Sequence, residues 1–207
     1  MNFFQKIPPF CFGILCPSKV YGKENIPDGK TVIISNHLHA LDCAFIANIY
    51  SDDIYFLAKK ELFKKKLFAK ILKSYGCIPV DRNNPDMQTL ISCMRVLKDG
   101  HKLVVFPEGT RNKTGTTDIQ PIMGGAMIFA IKAKSPIVPI IISGKPKIFR
   151  RTYIMVGKPF ELSEFYDKKL TDEVLGELEV VVRDKMIAIQ QELFSIIKSK
   201  KTDKKIK

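Results

Sequence analysis

Thr31-Val32-Ile33-Ile34-Ser35-Asn36-His37-Leu38-His39-Ala40-Leu41-Asp42 runs from four strand-forming residues directly into a polar stretch. The β-branched, apolar start reads as a buried strand, and the polar residues after it read as the turn into a helix. Histidine exchanges a proton near neutral pH, and a neighbouring carboxylate can fix its tautomer and stabilise the imidazolium. Five residues span about 500° of helix, so His37 and Asp42 do not share one helical face. The spacing puts His37 in the strand-to-helix turn and Asp42 in the first turns of the helix. A metal reading of His37, His39 and Asp42 finds no supporting cluster, since the only other histidine is His101. No metal is therefore expected, and His39 is expected in the core or behind the site.

Further apolar runs recur at residues 54–57, 77–80, 102–106, 137–142 and 153–156. Helical patterns lie between several of them. Residues 85–98 place Met87, Leu90, Ile91, Met94 and Leu97 on one stripe, with Asn84 as N-cap, Pro85 at the first position and Gly100 as the stop. Residues 124–134 form a second helical pattern. A third begins after Thr171, with Asp172 and Glu173 complementing the dipole, and runs to about residue 198. Alternating strands and helices predict an α/β fold with a mixed, substantially parallel sheet flanked by helices. In such a sheet, ligands gather at the carboxyl ends of the strands.

Length and composition bound the chain. Its 207 residues suit a single core, and 45% hydrophobic with 27% charged residues excludes a disordered or fibrous class. No apolar run approaches the ~18–20 residues of a membrane span. Residues 10–16 form a short apolar stretch that, with Phe3, Phe4 and Ile7, fits a membrane interface better than a cleaved signal. Five cysteines without a CxxC argue against a disulfide framework and fit a reducing, cytoplasmic setting.

The net charge of +13 is unevenly placed: residues 59–73 carry +6 and residues 198–207 carry +5. So local a positive field points to a polyanionic partner. Residues 59–73 read as a basic amphipathic helix with Phe63, Leu67, Phe68, Ile71 and Leu72 on one side. That pattern suits either a membrane interface or a surface helix packed on the sheet. The lysine-rich tail reads as a solvated, frayed end or as a contact to an anionic surface. Nucleic acid is disfavoured, because no zinc finger, RNP-like or helix-turn-helix pattern accompanies the charge.

Two more blocks carry chemistry. Phe106-Pro107-Glu108-Gly109-Thr110-Arg111 ends a predicted strand, with a turn-forming glycine and an arginine fork suited to phosphate. Glu108 suits holding an arginine or a substrate hydroxyl; a surface turn with an ion pair is the plainer alternative. Gly76-Cys77-Ile78-Pro79-Val80-Asp81-Arg82 ends likewise, with Arg82 either a second phosphate ligand or the partner of Asp81. Residues 137–140 read as core or tunnel wall.

Together these blocks resemble the glycerolipid acyltransferase family, in particular its bacterial 1-acylglycerol-3-phosphate acyltransferases. The resemblance spans about 140 residues, from Val20-Tyr21-Gly22 to Gly157-Lys158-Pro159. It implies transfer of a fatty acyl group from an acyl-CoA or acyl-carrier-protein thioester to the hydroxyl of lysophosphatidic acid. His37 is then the general base and Asp42 its orienting partner. Arg82, Glu108, Gly109, Thr110 and Arg111 form the phosphate-binding set. The thioester is a co-substrate, and no cofactor is implied. The chain then divides into residues 1–18, a short membrane-interface segment by their apolar pattern, 19–197, the acyltransferase domain that the resemblance implies, and 198–207, a basic tail by composition. It implies a peripheral enzyme on the cytoplasmic face of an anionic membrane, with no nucleic-acid partner. His39, Asn112 and Met123 depart from the family's usual serine, serine and lysine, and the stretch before Val20 is short. These departures leave glycerol 3-phosphate or another lysophospholipid as alternative acceptors. A catalytically inactive membrane-binding relative is the further alternative.

Overall fold

The computed structural model describes residues 13–50, 54–81 and 87–206. Seven strands form one sheet in the order β1-β7-β6-β2-β5-β3-β4. They are β1 (Ser18–Tyr21), β2 (Thr31–Ser35), β3 (Ile54–Lys59), β4 (Cys77–Val80), β5 (Lys102–Val105), β6 (Ile137–Ile142) and β7 (Thr152–Val156). Every pairing is parallel except β6 with β7. The mixed, substantially parallel α/β architecture expected from the sequence is the one present. β1 has no counterpart among the runs read from the sequence.

The helices are α1 (Asp42–Ala47), α2 (Lys66–Ser74), α3 (Met87–Lys98), α4 (Ile128–Ala133) and α5 (Asp172–Ile206). They cover both faces of the sheet, as a parallel sheet buried on both sides requires. Alternate residues of β2 serve the two faces. Val32 and Ile34 join Cys93, Leu97, Ile131, Leu178, Val182 and Met186 in one core, whereas Ile33 joins Phe45, Ile46, Val104 and Ile140 in the other. All six residues of β6 are buried, so the 137–140 stretch is core.

Several sequence expectations shift. Residues 59–73 are not one helix: Lys59 is held in β3 opposite Val80 of β4, and residues 60–63 form a 3-10 turn. Lys65 has extended backbone (φ −88°, ψ 115°), so α2 begins only at Lys66. No residue of α2 is buried, and Leu67, Phe68 and Ile71 are exposed, although the helix lies against the edge strand β4. In α3 the buried face is Thr89, Cys93, Val96 and Leu97, while Met87 and Ile91 are exposed. The apolar pattern missed this rotation because Thr89 seats its hydroxyl on the Pro79 carbonyl at 3.0 Å and so enters the interface as a satisfied polar residue. Asn84 and Pro85, expected to start this helix, lie outside the described residues. Gly100 ends it at φ +82°. α5 starts as expected, with Thr171 Oγ1 accepting from the Val174 amide at 3.4 Å, but remains helical through Ile206 instead of fraying at 198.

Where α5 crosses the sheet it passes close to Gly124. A Cβ on Gly124 would sit 2.5 Å from the Leu175 carbonyl oxygen, which is backbone and cannot swing away. Gly124→Ala is therefore expected to destabilise the fold by about 1–3 kcal/mol, read as a lowered midpoint in urea unfolding with an unchanged slope.

Candidate active site

The parallel strands β2, β3, β4, β5 and β6 all end on one side, and the sequence-predicted site residues in the described part of the chain gather there. Asp42 is the first residue of α1 and is fully buried. Its Oδ2 accepts from His37 Nδ1 at 2.9 Å and from the amides of Leu38 at 2.7 Å and His39 at 2.8 Å. Three donors on one oxygen offset the cost of burying the charge and close the β2–α1 turn around it. A carboxylate only accepts, so the Nδ1 proton is fixed on this side of the ring and Nε2 carries the lone pair. The imidazole lies on the Phe106 ring at a centroid distance of 4.1 Å and 20° between planes. His39 is half-buried; its Nδ1 accepts from the Leu41 amide at 3.2 Å. It thus shapes the turn from the rim and is not a core histidine.

Two asparagines that sequence reasoning did not single out as functional stitch the strand ends together. Asn36, wholly buried, donates to the Ile142 carbonyl at 3.0 Å and accepts from the Ile142 amide at 2.8 Å. The Asn112 amide donates to the His37 carbonyl at 2.7 Å, and its side chain organises the loop through the Asp118 carbonyl and Thr114. The loops after β2 and β5 and the end of β6 therefore share one hydrogen-bonded frame around His37. The only sequence signal was a pair of amides flanking the two motifs.

Glu108 is buried within that frame, and neither carboxylate oxygen has a hydrogen-bond partner of normal geometry among the described residues. Burial pushes its pKa up to about 7, the His37 backbone amide pulls it down, and the Asp42 charge raises it further. Glu108 is thus not the surface ion-pair partner considered from sequence. Thr110 and Arg111 are exposed at the mouth of the same loop. Gly109 makes the turn at φ +66°, packed so closely on Met123 that a Cβ would lie 2.5 Å from its sulfur. Arg82 lies outside the described residues. Burial pushes the Cys43 thiol to about 12, with Cys77 adding to the rise, and the Cys77 thiol to about 11, so neither is an activated nucleophile.

A surface groove between Lys30, Ile91, Met94 and Arg95 lies at the opposite end of the sheet and holds none of these groups. Among the described residues no helix is long and apolar enough to cross a membrane, and no three His, Cys, Asp or Glu side chains converge as a metal site.

The acyltransferase family model matches residues 17–143. A 1-acyl-sn-glycerol-3-phosphate acyltransferase of Bacillus subtilis is 33% identical over 154 residues, covering 71% of this chain and 75% of that protein. Enzymes of the same name from Streptococcus pneumoniae and Saccharomyces cerevisiae are 34% and 30% identical over 74% and 84% of this chain. The chain spans 58% and 60% of those two relatives' length. The crystal structure of the 1-acyl-sn-glycerophosphate acyltransferase of Thermotoga maritima shares the fold, with a TM-score of 0.67 over 93% of this chain and 77% of that one at 22% identity.

The raised Glu108 pKa has a thermodynamic consequence. The native state holds the proton more tightly than the unfolded chain, whose carboxyl titrates near 4.5, so this group makes stability fall as pH rises from about 4.5 to about 7. Glu108→Gln removes that slope. Urea midpoints at pH 5 and pH 8 should differ less in the variant than in the wild type.

Proposed function

The chain belongs to the acyltransferase family, and we propose that it moves a fatty acyl group from a thioester to the free hydroxyl of lysophosphatidic acid, giving phosphatidic acid. The observation that carries this reading is the His37 Nδ1–Asp42 Oδ2 contact of 2.9 Å at the carboxyl end of β2, which leaves Nε2 as a base beside the Glu108–Arg111 loop. Nε2 takes the proton of the acceptor hydroxyl as its oxygen attacks the thioester carbonyl carbon. Asp42 stabilises the imidazolium so formed. Collapse of the tetrahedral adduct breaks the carbon–sulfur bond, and the imidazolium returns its proton to the departing thiolate. The new ester and a free thiol leave, and no residue has been acylated.

The acceptor phosphate meets Arg111, Thr110 and the Gly109 turn, with Arg82 as the further cation of the set. Glu108, its pKa pushed up to about 7 by burial, can in its protonated form donate to an acceptor oxygen. The acyl donor is a coenzyme A or acyl-carrier-protein thioester. The acceptor is an amphiphile, so the reaction takes place peripherally at an anionic membrane surface, on the cytoplasmic face.

His37→Ala should abolish acceptor-dependent thiol release from acyl-CoA or acyl-carrier protein and, by taking one donor from the buried Asp42 carboxylate, lower the thermal midpoint while leaving the protein folded at the assay temperature. Turnover near the wild-type rate would remove His37 as the base. Arg111→Ala should raise the KM for lysophosphatidic acid more than it lowers kcat, and an unchanged KM would remove the phosphate contact.

A further inference from the structure

The β6–β7 hairpin, residues 144–151, leaves the sheet at the same end as His37. Its sequence is Gly144-Lys145-Pro146-Lys147-Ile148-Phe149-Arg150-Arg151. The tip is a tight turn in which the Arg150 amide bonds the Lys147 carbonyl at 3.1 Å. The two residues at its apex are both large and apolar: Ile148 is 67% exposed and Phe149 75%. Phe149 also has φ +56°, a conformation that turns usually give to glycine or asparagine. Neither side chain supports the core, and a soluble turn gains nothing by presenting them to water.

The hairpin itself is basic throughout. Lys145, Lys147, Arg150 and Arg151 are exposed, and the chain has no acidic residue between Asp118 and Glu161. The hairpin is braced from the side: the Phe149 amide donates to the Leu15 carbonyl at 2.8 Å, and the Thr152 amide to that of Pro17 at 2.9 Å. That brace brings exposed Ile14 and Leu15 to the same end. Across the sheet, beyond the carboxyl end of β3, stand exposed Leu62 and Leu67 with Lys60, Lys64, Lys65 and Lys66. In strand order β6-β2-β5-β3, the His37 and Glu108 loops lie between these two apolar, lysine- and arginine-ringed patches.

We infer that this end of the sheet is the membrane-docking face, with Ile148 and Phe149 inserted among the lipids, the hairpin's cations on anionic headgroups, and the 60–67 segment as the opposite footing. Apolar tips ringed by cations match the two layers of such an interface, hydrocarbon below and phosphate above. Scattered exposed apolar residues need no explanation, but two adjacent ones at the apex of a cationic turn do. Docked this way, Arg111 and His37 face the headgroup layer, and an acceptor lipid reaches the base without leaving the bilayer. The inference rests on the acyl-transfer reading only in taking the acceptor to be a lipid.

The chain contains no tryptophan, so one introduced residue reports alone. In the full chain carrying Phe149→Trp, mixing with phosphatidylcholine–phosphatidylglycerol vesicles should shift the emission to the blue, and brominated lipid should quench it. Emission that stays water-like while the protein sediments with the vesicles overturns the inference. The Ile148→Ser/Phe149→Ser double variant should bind these vesicles at least tenfold more weakly with an unchanged thermal midpoint. It should lose transfer to vesicle-borne lysophosphatidic acid and keep the wild-type rate on a short-chain, fully dissolved one. Lys147→Ser and Arg150→Ser should each weaken binding about fivefold at low salt. Intact vesicle binding with a loss of turnover confined to the acyl-carrier-protein donor would assign the hairpin to the acidic carrier and overturn the membrane reading. A wild type inactive on both acceptors would overturn the reaction instead, with the fluorescence still deciding the docking face.

Discussion

A wholly buried carboxylate organises this molecule's working end. Asp42 has one oxygen committed to three donors, two of them backbone amides from the turn that leads into its own helix. Such a charge is tolerated only while its partners stay in place, and removing a partner from a buried pair costs about 3–5 kcal/mol. The turn, the first residues of α1 and the imidazole orientation are therefore one cooperative unit. The His37 orientation is set by the same bonds that make the loop fold. Its other oxygen, Oδ1, is buried without a partner among the described residues, so the constellation sits close to the limit of what this core accommodates.

That unit is held against the sheet by amides and an aromatic ring. Asn36 clamps the end of β2 to β6, the Asn112 amide ties the His37 carbonyl to the loop after β5, and Phe106 supports the imidazole face. These side chains stand in the loops directly after strands packed on both faces, which is how α/β sheets obtain rigid sites from loop residues. Glu108 extends the same logic to charge: burial, opposed by the His37 backbone amide and reinforced by the Asp42 charge, pushes its carboxyl up to about 7.

The charge distribution acquires its meaning from the same geometry. The two edges of the site-bearing end combine cations with exposed apolar side chains, while the buried layers beneath are ordinary core. A surface of that composition is costly in water and favourable at an interface, and it is the surface that the loops of the site share.

The sequence by itself carried the periodicities and the local chemistry. β-branched runs alternating with helical stripes determined a mostly parallel α/β sheet, because strand and helix repeats differ in period and only one class of fold uses both in alternation. The histidine, the aspartate five residues on and the Phe106–Arg111 block were legible because they are residue types at fixed spacing beside strand ends. Tertiary structure decided what depends on neighbours distant in sequence. The break of residues 59–73 followed from Lys59 being captured by β4, and the rotation of α3 followed from Thr89 finding the Pro79 carbonyl. The burial of Glu108 and the clamp by Asn36 required β2, β5 and β6 to be adjacent, a fact of strand order that no local pattern encodes. The Ile148–Phe149 turn carries no local pattern that marks it, and it is informative only because the sheet places it, exposed, at the same end as His37.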